Sequence, residues 1–208
     1  MILSAAERLV ASEGPRALTA RKIAELIGYS PGTLYNLFAN LDDLVLHLNA
    51  QTLESLDKKL QESPFAQDPV ADLMALAEAY LAFQDAHPHL WNLLFEYRLS
   101  PEISIPDWYL KRIRTLFAHA ERALAPLFWE DDLRHRSEAA QVLWASLHGI
   151  SQLASAGKLE LISSHSALNL ARILITNFVR GIRVNEVSIQ DPDEDSCTQL
   201  GNRKIHGV

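Results

Sequence analysis

The chain has 208 residues, of which 48% are apolar and 22% charged, and its net charge is -7. That length holds one large or two small domains with a real core, and the acidic balance excludes a general nucleic-acid coat protein. The lone cysteine, Cys197, excludes an internal disulfide framework or a cysteine-rich zinc site, and no apolar run approaches the roughly 18 residues of a membrane span.

The opening ILSAAERLVASEG has no basic stretch ahead of its apolar one, and Glu7 and Arg8 interrupt it, so it does not read as a signal peptide. With the single cysteine, this points to a cytoplasmic protein. Leu3, Ala6, Leu9 and Val10 share a face and predict a helix over residues 2–11, closed by Gly14-Pro15. Thr19 is an expected N-cap, and Ile23, Ala24 and Ile27 recur at helical spacing over 19–27. Gly28 suits a left-handed turn. Ser30 is a second N-cap candidate with Pro31 at the first helical position, and Tyr29 and Leu34 are placed as a hydrophobic staple. The helix over 31–38 then turns Leu34, Leu37 and Phe38 inward, leaving Thr33, Tyr35 and Asn36 outside. Two short helices joined in this way predict a helix-turn-helix whose second helix enters a major groove.

A longer helix over 41–62 follows, read either as a surface helix of a larger body or as a connector that transmits motion to the head. Ser63-Pro64 and Asp68-Pro69 mark a loop before the next helix, over 70–86. His87-Pro88 breaks that helix, and an aromatic one over 89–99 holds Trp91, Phe95 and Tyr97. Helices over 108–127, 133–156 and 165–184 complete the series. Gly149 lies inside one of them at a cost of roughly 1 kcal/mol against alanine, which suggests a close contact or a local deformation; Gly157 is placed to end it. The last two helices are broadly apolar, which suits either an intramolecular core or an intersubunit four-helix bundle. Residues 188–208 lose apolar periodicity and read as a disordered tail. The class is all-α.

Residues 1–60 carry six Lys/Arg against seven Asp/Glu, so Arg8, Arg16, Arg21 and Lys22 supply most of any basic patch near the motif. The aromatic content of the second half suits an apolar cavity or an ordinary core. Trp91, Phe95, Phe117, Trp144 and His148 are the preferred ligand-binding set, with His148 read either as a ligand partner or as a structural histidine. His87, His89 and His119 are scattered, so no metal site is expected. No Gly-x-Ser-x-Gly, His-Glu-x-x-His or phosphate loop occurs, and neither an enzyme nor a cofactor is expected.

The first 48 residues resemble the DNA-binding head of the tetracycline-repressor (TetR) family. The string that carries this is Gly14, Thr19, Ile23-Ala24, Gly28, Ser30-Pro31, Thr33-Leu34-Tyr35, Phe38 and Asp42-Asp43-Leu44. Trp144, His148 and Gly149 reproduce a Trp-x-x-x-His-Gly spacing similar to that of one large group of TetR C-terminal domains. The resemblance implies a DNA-binding domain over 1–48, a regulatory and dimerisation domain over 49–187, and a homodimer on a palindromic operator. It further implies a repressor that a partly apolar small molecule releases. By family position, Thr19 and Arg21 meet phosphate, and Ser30, Thr33, Tyr35 and Asn36 lie at the DNA. Tyr35 is expected on the backbone, and Thr33 and Asn36 at base edges. The sequence departs from the family in having Leu41 where a lysine is common, and it begins almost inside the first helix, ahead of which family members usually carry a basic arm. The alternative is a dimeric small-molecule-binding or interaction protein with weakened DNA binding.

Overall fold

A computed structural model describes residues 1–184, and these are all-α. The expected tail at 188–208 and Cys197 lie outside them. Helix α1 is Ile2–Glu13, α2 Ala20–Ile27, α3 Pro31–Tyr35, α4 Leu41–Gln61, α5 Pro69–Ala86, α6 Pro88–Glu96, α7 Asp107–Leu124, α8 Leu133–Ser155 and α9 Ala167–Val184. Among the described residues no helix is long and apolar enough to cross a membrane.

Local chemistry sets the boundaries. Thr19 Oγ1 accepts from the Lys22 amide at 3.2 Å and starts α2. Gly28, at φ 73°, ends it: the Gly28 amide reaches Glu25 O and the Tyr29 amide reaches Ala24 O, a pairing that needs the left-handed turn. Asn40 Oδ1 accepts from the Asp43 amide at 2.8 Å, and Asp43 Oδ2 accepts in return from the Ala39 amide at 2.9 Å. This reciprocal cap fixes the start of α4. Asp68 caps α5 through the Ala71 amide, with Pro69 at its first position.

Ile23, Leu34, Leu44, Val45 and Leu48 form the core of the head, and Leu90 and Leu93 of α6 belong to that same core. Each such side chain contributes roughly 1.5–3 kcal/mol on burial. A second core joins Leu73, Ala77, Leu124, Leu143, Ile175 and Val179 from α5, α7, α8 and α9. Helix α4 serves both: its first half packs in the head, and Leu53, Leu56 and Leu60 turn toward the body.

Some expectations change. Helix α3 ends at Tyr35, and Leu37, expected inside, is 70% exposed. The five-residue helix runs into a turn in which the Leu37 amide bonds Leu34 O, and the side chain swings out while Phe38 stays partly buried. Helix α6 stops at Glu96 rather than 99, because Tyr97 adopts extended backbone. A Cβ built on Gly149 would meet nothing within 4 Å, so no close contact within the chain explains that glycine.

Candidate functional site

Two surfaces concentrate the polar and apolar chemistry that a core does not need. The first is the outer side of the helix-turn-helix. Leu34 is buried beneath α3, which leaves Ser30, Tyr35 and Asn36 exposed and Thr33 partly so. Ser30 holds the N-cap position, but its hydroxyl lies 3.3 Å from Thr33 Oγ1 instead of accepting from a helix amide. The two hydroxyls thus face outward together at the start of the helix. Thr19 and Arg21 are exposed at the start of α2. Arg21 Nε pairs with Glu25 at 2.9 Å, and Lys22 Nζ with Glu13 at 2.8 Å. Such exposed pairs contribute little to stability. Arg8 and Arg16 are also exposed.

The second is a cavity of about 350 Å³ between α4, α5, α7 and α8, with α6 closing one side. Its wall is overwhelmingly aliphatic and aromatic. Of the expected set, Phe95, Phe117 and Trp144 line it. Trp91 and His148 stand one layer behind. Trp91 is fully buried, with its ring 4.7 Å from Phe95 and 4.8 Å from Tyr80. His148 stacks on Trp144, the planes inclined by 11° and the centroids 5.1 Å apart, and lies 4.3 Å from Phe95. Sequence reasoning missed the leucines of α4 and two phenols, Tyr80 and Tyr109, that also line the wall. Tyr80 stood on the apolar side of its helix and carried no mark of a polar partner 68 residues away.

The polar groups at the wall are few. Tyr80 Oη lies 2.9 Å from His148 Nδ1. Burial pushes the Tyr80 phenol far above its usual range, against a contact from the Trp144 indole N–H. Burial likewise holds His148 below the ordinary imidazole range, so it is neutral at pH 7. His119 Nε2 lies 2.7 Å from Asp57 Oδ1, and the other Asp57 oxygen accepts from the Gln61 amide at 2.7 Å. Below Tyr80, Gln84 and Ser151 exchange two buried hydrogen bonds between α5 and α8. Among the described residues no cluster of His, Cys, Asp or Glu is arranged to hold a metal ion.

The cavity and the head meet at α6. Phe95 faces the cavity, Leu90 and Leu93 sit in the head core, and His89 Nδ1 lies 2.9 Å from Ala11 O at the end of α1. Tyr97, just past the helix, donates to Asp42 Oδ1 at 2.8 Å, and the Ser100 amide donates to Asp42 Oδ2 at 3.3 Å. Hydrogen bonds from the Ser100 side chain and then from Tyr97 hold Asp42 below the usual carboxylate range.

Residues 2–48 match the model of bacterial regulatory proteins of the tetR family, and residues 73–178 match the tetracyclin repressor-like C-terminal domain. A search of curated proteins finds no match. Among solved structures, the chain is similar to a protein of unknown function from Rhodococcus sp. RHA1. That pair is 23% identical with a TM-score of 0.67, over 86% of this chain and 92% of that one. A TetR transcriptional regulator from the same organism aligns at 18% identity and a TM-score of 0.63, over 86% and 92% of the two chains. The regulator SCO7222, a TetR from Streptomyces coelicolor, aligns at 18% and 0.63, over 88% and 96%. At these identities the likeness is one of fold.

Proposed function

The chain belongs to the TetR family of bacterial regulatory proteins and is a DNA-binding transcriptional regulator; we propose that it is a homodimeric repressor that binds a palindromic operator in the cytoplasm and leaves it when a small molecule fills the body cavity. The observation that carries this reading is the position of α6, which shares side chains with the cavity wall and with the core under the recognition helix. A ligand that shifts Phe95 displaces the same rigid helix that carries Leu90 and Leu93. Occupancy and head orientation are thereby coupled through one element.

On the DNA side, Tyr35 and Arg21 contact phosphate with Thr19, and Thr33 and Asn36 reach base edges from α3, with Ser30 beside them. Two heads related by a dyad place their recognition helices about 34–36 Å apart, or a multiple of it. The second subunit docks on α8 and α9. Val142, Leu153 and Ile173 are exposed apolar side chains on these helices, and Gly149 leaves space along the same side of α8. Trp144, His148 and Gly149 then serve both faces of one helix, the first two toward the cavity layer and the glycine toward the partner.

Selection of operators from random duplex DNA with the purified protein, followed by salt titration of the winner, tests the proposal. An enriched palindrome with affinity falling steeply in salt is expected, since each phosphate contact adds about one unit to the logarithmic slope. The absence of any enriched palindrome at low salt overturns it. One observation favours a second reading, a ligand-binding dimer with weakened DNA affinity: Arg21 and Lys22 are each paired with an acid within the head. The same titration separates the two.

A further inference from the structure

We propose that Trp108 is a positioning residue for the recognition helix, acting through His47 and Phe38, so that the hold of the head on its operator rests on α7 as well as on α6. This builds on the reading of the chain as an operator-binding regulator and adds a residue outside the head to it.

Helices α4 and α7 are tied together along their length. His119 Nε2 lies 2.7 Å from Asp57 Oδ1, and Arg112 reaches Glu54 at 3.5 Å. Nearest the head, the His47 ring stacks on the Trp108 indole, the planes inclined by 20° and the centroids 4.8 Å apart. The paired residue numbers rise together, so the two helices run in the same direction and the start of α7 lies beside the head.

His47 also meets Phe38 edge-on, with centroids 5.6 Å apart and planes at 67°. Phe38 is bound to the recognition helix it follows: its amide donates to Leu34 O at 2.9 Å, and its side chain packs against the head core. His47 Nε2 lies 3.7 Å from Asp43 Oδ1, and the other Asp43 oxygen accepts from the Ala39 amide. One imidazole thus bears on the residue that leaves α3 and on the cap that begins α4. Stacked and edge-on rings hold one another only at short range and in set orientations. Removing the indole frees the outer face of His47 and gives Phe38, with the end of α3, room to shift. Hydrogen bonds to base edges weaken steeply with misalignment, whereas attraction to phosphate falls off slowly with distance. The loss therefore falls on the specific complex.

The same helix faces the cavity. Ile113, Leu116 and Phe117 line it, as does Tyr109, whose ring stands 5.8 Å from that of Trp108 at 80°. The head accordingly has a footing on two walls of the cavity.

Fluorescence anisotropy of the full chain on the operator recovered by selection, and on a scrambled duplex of equal length, tests this. Circular dichroism and thermal melts accompany each variant. Phe65→Ala is the control: Phe65 is 41% exposed against 40% for Trp108, and it packs 3.7 Å beneath Arg122 at the other end of α7. Trp108→Ala is expected to weaken operator binding at least about fivefold, the lower end of what one lost base contact costs, and to leave the scrambled duplex unaffected. Trp108→Phe, which keeps a ring face, should restore most of the loss, and Phe65→Ala should leave both affinities unchanged. In a His47→Ala background, Trp108→Ala should cost nothing further. If the alanine variant does not fold, Trp108→Leu, which keeps bulk without a ring face, takes its place with the same expectations. Wild-type operator affinity in Trp108→Ala, an equal loss on both duplexes, an equal loss in Phe65→Ala, or an undiminished further loss in the His47→Ala background each overturns the positioning role while leaving operator binding intact. A wild type that binds both duplexes alike overturns the operator reading and the positioning role with it.

Discussion

Tyr97 donates its hydroxyl to Asp42 at 2.8 Å, joining the end of α6 to the first turn of α4 across 55 residues of sequence. The bond sits where the body meets the head, and it contributes to the displaced titration of both partners. The Ser100 side chain and then Tyr97 depress Asp42, while burial and then Asp42 raise Tyr97 to about 12.

This pair predicts a stability window with two edges. A depressed carboxylate contributes stability above its unfolded value near 3.9 and loses it as pH falls through the lower folded value. A raised phenol contributes below about 10 and loses its share as pH climbs toward 12. Asp42→Asn is expected to cost about 1.5–3 kcal/mol at neutral pH, a fall in Tm of a few degrees or more for a chain of this size. Its Tm curve should converge on the wild type in acid below the folded value of Asp42. Thermal melts at stepped pH check this, and an undiminished gap at pH 2 contradicts it.

Leu93 is fully buried in the head core although it comes from α6. Leu93→Ala is expected to cost about 2–5 kcal/mol of global stability and to weaken operator binding as well, because the cavity it leaves lies under the recognition helix. Urea unfolding and a binding isotherm on one preparation measure both. Loss of stability with unchanged DNA affinity would show that α6 does not support the head.

Substitutions on the head should separate positioning from reading. Arg21→Ala should lower affinity across all sequences and reduce the logarithmic salt slope by about 1. Tyr35→Phe should likewise weaken binding broadly. Asn36→Ala and Thr33→Ala should instead shift preference at individual base positions, by about 1–3 kcal/mol where a base contact is lost. Competition against single-base operator variants distinguishes the two patterns.

Gly149→Leu gives opposite signs in the two association states. Within one chain the added side chain meets nothing within 4 Å of its Cβ, and leucine is better than glycine in a helix by up to about 1 kcal/mol. On a face packed against a second copy, the same side chain is an obstruction. A well-folded monomer is expected by light scattering, with helicity retained by circular dichroism. A dimer of wild-type affinity would move the subunit contact away from this face.

The head was readable because its signals are local. Thr19, Gly28 and Pro31 act on backbone within four residues of themselves, and the observed helices start and stop where that chemistry places them. Leu37 was misread because a period of 3.6 was carried past the end of a five-residue helix. The sharing of α6 was invisible for another reason. Leu93 satisfies the apolar pattern of its own helix whichever core it enters, and only the folded topology selects the head. Aromatic content pointed to the cavity, and Phe95, Phe117 and Trp144 do line it. The criterion favoured large rings, and so passed over the leucines of α4. It also failed to rank Trp91 and His148 as a supporting layer, a matter of depth that periodicity along one helix does not encode.

Because Leu90 and Leu93 complete the head core, the unit that could be transplanted between relatives is discontinuous in the gene. A graft of residues 1–48 onto a foreign sensor would arrive with the floor of its core missing, and would depend on whatever side chains the host's own sixth helix supplied. A chimera that carries residues 88–97 along with the head keeps that floor and the Tyr97 bond to Asp42. Designers of biosensors who wish to rewire the response of this chain to a new operator have at least two segments to move, not one.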